Sequence, residues 1–96
     1  MNENRSIQHK NHTVKMDNRK RMSLDGVRDV ISFDDGEVVL VTENGEMTVE
    51  GRELHISVLD LTGGSVMLDG IIDAVYYIDE NEEKSKRASF FRRAFR

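Results

Sequence analysis

The side chains here that could do chemistry are three histidines, several groups of carboxylates, seven serines and a basic ending that contains three phenylalanines. His9 and His12 stand three residues apart and could share a metal on a helix. Their segment supplies no third or fourth soft ligand, however, and zinc sites are usually closed by four, so no metal site is expected. His55 falls on the outward side of an alternating strand and reads as a surface residue. Asp34, Asp35 and Glu37 crowd one turn, and Asp79, Glu80, Glu82 and Glu83 another stretch. Neither spacing fits a twelve-residue calcium loop, and no histidine, lysine or tyrosine joins them in an acid–base arrangement. The serines lack a nucleophile elbow, and no glycine-rich loop could cradle a phosphate. The expectation is a protein that is not an enzyme and needs no cofactor.

The sharpest functional signal is the tail. On a helix, Ala88, Phe90, Phe91, Ala94 and Phe95 share one arc, while Ser89, Arg92, Arg93 and Arg96 share the other. So short a helix does not hold by itself in water and needs a surface to fold against. Three surfaces are open: the protein's own sheet, a groove on a partner protein, or an anionic membrane. On the last two, Phe90, Phe91, Arg92, Arg93, Phe95 and Arg96 would be the contact residues.

Charge is segregated along the chain. Residues 1–21 carry net +4, residues 84–96 carry +6, and the stretch between them carries −14, with Arg28 and Arg52 its only fixed positive charges. Nucleic acid is not an expected partner, because phosphate would repel so acidic a body. There is no cysteine, proline or tryptophan, so packing alone must hold the core. No uncharged apolar run reaches the ~18 residues of a membrane span, and Met1–Arg21 contains no apolar signal region. A cytoplasmic protein, soluble or peripheral on a membrane, is expected.

The elements that must position these groups are strands. Residues 1–21 hold only Met1, Ile7, Val14 and Met16 as large apolar side chains, without period, and predict a disordered basic arm. From Met22 onward, short β-branched runs alternate with glycine turns. Glu37–Thr42 is apolar at successive positions and should be buried on both faces. Asn44-Gly45 then suits a type I′ hairpin. Met47 and Val49 point inward, with Glu46, Thr48 and Glu50 outward. Leu54, Ile56 and Val58 continue the inward set, Gly63-Gly64 turns the chain, Val66 and Leu68 point inward, and Ile72, Ala74, Tyr76 and Ile78 line one face. Leu24-Asp25-Gly26-Val27 through Phe33 also echoes Leu68-Asp69-Gly70-Ile71 through Tyr77 without a gap. The recurring unit is strand, glycine turn, strand.

The predicted fold is all-β: a small antiparallel meander of about six or seven strands that closes into a sandwich or partial barrel. The β domain spans residues 22–79, and residues 80–96 form a charged linker and the amphipathic tail. Its sheet edges offer a route to homo-oligomers, since no proline blunts them.

The order of these steps, with Thr42-Glu43-Asn44-Gly45, Val49-Glu50-Gly51-Arg52-Glu53-Leu54-His55-Ile56, Leu59-Asp60 and Phe90-Phe91-Arg92-Arg93-Ala94-Phe95-Arg96, resembles the YabP family of sporulation proteins from endospore-forming bacteria over about residues 17–96. The resemblance implies a non-enzymatic role in building the spore, in the mother cell or peripherally at the forespore membrane on its mother-cell side, with a membrane sporulation protein as an expected partner. It transfers no functional residue.

Overall fold

A computed structural model describes residues 11–79. The tail and its six contact residues, together with His9, lie outside the described residues. Six strands form one antiparallel sheet: β1 Thr13–Asp17, β2 Arg21–Asp25, β3 Val27–Phe33, β4 Glu37–Thr42, β5 Gly45–Asp60 and β6 Ser65–Ile78. No helix occurs among the described residues, and β1 and β3 are the sheet's two edges in the order β1-β2-β6-β5-β4-β3.

β3 to β6 form the expected meander, but β2 and β3 do not. They stand four places apart in the sheet and are nevertheless joined by Gly26 alone. Such a link requires the sheet to coil back on itself. Straight, the 16 residues of β5 would span ~50 Å. Yet Glu43, just before β5, donates its N–H to Gly26 O at 2.9 Å, and Gly64, just after β5, accepts from Val27 N–H at 3.0 Å. Both ends of β5 therefore meet at one glycine. Gly26 has φ +75°, and a Cβ there would sit 2.6 Å from Asn11 O.

The bend lies midway along the β5–β6 hairpin. Glu53 takes φ 56°, the ladder slips between Arg52 and His55, and Gly70 opposite takes φ 139°. Turns clamp it from both sides. In the β3–β4 turn, Asp35 O accepts from Leu54 N–H at 2.9 Å and Gly36 O from Gly51 N–H at 3.0 Å. In the β1–β2 turn, Lys20 O accepts from Gly70 N–H at 3.0 Å and Arg19 O from Ile72 N–H at 2.9 Å.

Coiling encloses one core that contains Met22, Leu24, Val27, Val38, Leu40, Met47, Val49, Leu54, Val66, Leu68 and Ile72, all buried. As the successive apolar positions require, β4 is buried at Val38, Val39 and Leu40.

Several local expectations give way. The arm is strand from Thr13, although every side chain of β1 is exposed. Backbone pairing with β2, from Thr13↔Asp25 to Asp17↔Arg21, holds it where apolar burial cannot. The two positive φ angles of a type I′ turn belong to Asn18 and Arg19, whereas at Asn44-Gly45 only the glycine is positive. There the Thr42 hydroxyl organises the turn, donating to Gly45 O at 2.8 Å and accepting from Asn44 N–H at 3.0 Å.

Two shifts of register break the inward rows. Between Ile56 and Val58 the ladder slips, and Val58 turns outward to 44% exposure. Between Ile72 and Ala74, Asp73 is the extra residue: Ile72 stays in the core, joined by Val75, while Ala74, Tyr76 and Ile78 face the other side with Thr48.

Candidate interaction surface

The residues whose types suggested chemistry are dispersed. His12 bridges two strands: the Asp25 carbonyl can only accept, so Nδ1 carries the hydrogen at 2.9 Å and Nε2 accepts from the Tyr77 hydroxyl at 2.6 Å. This pins the start of β1 to the end of β6. Asp34 caps its own turn, taking Gly36 and Glu37 N–H on one oxygen at 2.8 and 2.9 Å. No group of three metal-ligating side chains converges among the described residues. A hollow of about 450 Å³ is lined by Arg28, Val41, Glu43, Glu46 and Ile78 at the β4–β5 end of the sheet.

The titratable groups that do converge form ion pairs across the bend. Asp73 accepts from Arg19 at 2.8 Å and from Arg52 at 3.1 Å, and Asp69 pairs with Arg21 at 2.8 Å, with His55 at 3.9 Å. Arg52 holds the Asp73 carboxyl below the ordinary carboxylate range. The Ser57 hydroxyl and Arg21 do the same for Asp69. Both hydrogen bonds push the Arg21 and Arg52 guanidiniums up in return. Arg19 and Arg52 share Asp73 while Arg21 holds Asp69, and such exposed pairs act as fasteners worth little individually. Sequence reading missed Arg19, Arg21, Asp69 and Asp73 as a set, because only the coiled sheet brings the β1–β2 turn to β6.

What the fold leaves unsatisfied is an edge. β4 pairs with β5 only from Glu50 back to Gly45. Beyond the bend, His55–Asp60 pairs with β6 on one side and has no strand on its outer side among the described residues. This stretch and its turn expose Val58 at 44%, Leu59 at 54% and Leu61 at 39%. An unpaired row of backbone groups beside exposed apolar side chains is a template for another strand, and no lysine or proline blunts it. At the far edge of the sheet, β3 exposes Ile31 and Phe33, but two register shifts interrupt it.

The profile of the YabP family matches residues 8–84. The chain belongs to the YabP family. It is 35% identical over 85 residues to the spore protein YabP of Bacillus subtilis (strain 168), an alignment that covers 88% of this chain and 84% of that protein. The match includes most of the segment that sequence reading treated as an unmatched arm, in accord with the strand at Thr13–Asp17. Membership supports a role related to sporulation, and the family carries no established enzymatic activity.

Proposed function

We propose that this YabP-family chain is a non-enzymatic adaptor of spore formation that holds a protein partner on the open edge of β5. An extended segment of the partner adds to the sheet alongside His55–Asp60, with Val58, Leu59 and Leu61 as apolar anchors. The observation that carries the reading is the unpaired outer side of that segment together with its exposed anchors. Family membership supplies the setting. A membrane sporulation protein is the partner of choice, and the chain acts peripherally on the mother-cell side of the forespore membrane. No helix of the described residues is long and apolar enough to cross a membrane. The test is the position of a fluorescently tagged full chain in sporulating cells. The wild type should outline the forespore and Leu59→Lys should disperse through the mother cell; a wild type already dispersed would sink the proposal.

A second reading, self-assembly, draws on the order of residues along the same edge. In an antiparallel pair of two copies centred between Ser57 and Val58, His55 falls opposite Asp60 and Ile56 opposite Leu59. The register shift between Ile56 and Val58 bends that edge and weighs against a long ladder. Sedimentation separates the readings: a strict monomer at high concentration excludes self-pairing, and a dimer lost in Leu59→Lys supports it.

A further inference from the structure

The sheet can coil onto only one of its faces, and the face turned away from the core is nevertheless covered. Val39, Thr48 and Ile78 lie on that face of β4, β5 and β6, outside the core cluster, yet they are only 3%, 0% and 2% exposed. Val41, Ala74 and Tyr76 extend the strip and are half-buried. Thr48 Oγ1 is buried with no hydrogen-bond partner among the described residues, while the Tyr76 hydroxyl turns to Glu50 at 3.1 Å. All six described strands belong to the sheet itself, so none of them makes a second layer on this side. An apolar sheet face needs such a layer.

We propose that residues 80–96 of the same chain supply it, laying Phe90, Phe91 and Phe95 across the strip formed by Val39, Thr48 and Tyr76. Position, length and charge all argue for this occupant. The described chain ends one residue beyond Ile78, which is itself on the covered face. Residues 80–87 are an ample return: eight extended residues reach ~26 Å. A helix over 88–96 would be ~13 Å long, matching the ~10 Å width of three strands. Glu37, Glu46 and Glu50 stand on the same face, and residues 84–96 carry six basic side chains and no acid. The hollow beside Val41 and Ile78 offers a seat for an aromatic ring. The proposal is independent of the partner edge on β5 and assigns the tail to the protein's own sheet, leaving His55–Asp60 open.

The test uses the full chain carrying the photo-cross-linker p-benzoylphenylalanine in place of Phe91 or, in a second sample, Phe95. Irradiation should give monomeric protein whose internal cross-links map to residues 39–41, 48 and 76–78. The proposal is overturned if neither position forms internal cross-links to that strip, whether the label reacts with a second copy, with added phosphatidylglycerol vesicles or with solvent.

Discussion

The two halves of β5 belong to one strand and meet opposite fates. Gly45–Glu50 is flanked by β4 and β6, and its Met47, Thr48 and Val49 are all 0% exposed. His55–Asp60 is flanked by β6 alone, and its Val58 and Leu59 are about half exposed. Hydropathy does not separate the halves, since both carry apolar side chains. Pairing does. The first half is spent on folding, and the second is left available, which is the division of labour expected of a binding module.

Substitutions can break that contrast. Leu40→Ala, against the closed half, removes a fully buried core side chain and should cost about 2–5 kcal/mol in thermal or denaturant melting. Leu59→Ala, in the open half, should stay within about 0.5 kcal/mol of wild type. A large loss from Leu59→Ala would mean that the edge is structural.

Gly70→Ala tests the bend that separates the halves. A Cβ there would stand 2.6 Å from Glu53 O at φ +139°, so a loss of about 1–3 kcal/mol is expected. Loss of the bend should also lower protection of Leu54 N–H from exchange, because Asp35 O would no longer be in place.

Titration sharpens the contrast with smaller effects. Burial and the Glu50 hydrogen bond push the Tyr76 hydroxyl, on the closed half, up to about 12. Its neutral form is thus favoured by folding, so that contribution is intact below the ordinary tyrosine value of ~10 and is lost as pH rises toward 12. Tyr76→Phe should flatten the alkaline limb of a stability profile. At the bend, the depressed Asp69 and Asp73 carboxyls stabilise the fold above the ordinary carboxylate range, and that contribution is lost as pH falls through their lowered values. Asp73→Asn should soften the acid limb and leave the alkaline limb unchanged.

Much of this was legible in the residue pattern. The all-β class, the burial of Glu37–Thr42, the Gly63-Gly64 turn and the Asp-Gly echo at Gly26 and Gly70 follow from β-branched runs and from glycines that supply positive φ. What escaped were features no side chain announces. A register shift moves Val58 outward, and the extra Asp73 sends Tyr76 to the far face, though neither changes the apparent alternation. β1 carries only exposed side chains, so composition could not distinguish it from an arm. The one-residue link at Gly26 is a consequence of coiling, visible only when both ends of β5 are in place. The open edge escaped for the same reason, because residues 55–60 read as an ordinary strand until β4 was seen to stop short of them.

The claim that the open half of β5 is the working surface is tested most directly by heat-resistant spore counts in a strain whose count falls when this chain is deleted. The only copy supplied should be Leu59→Lys, with its melting temperature confirmed to match wild type. The account predicts that the substitution lowers the count about as far as the deletion. A count restored to the wild-type level by folded Leu59→Lys protein would contradict it.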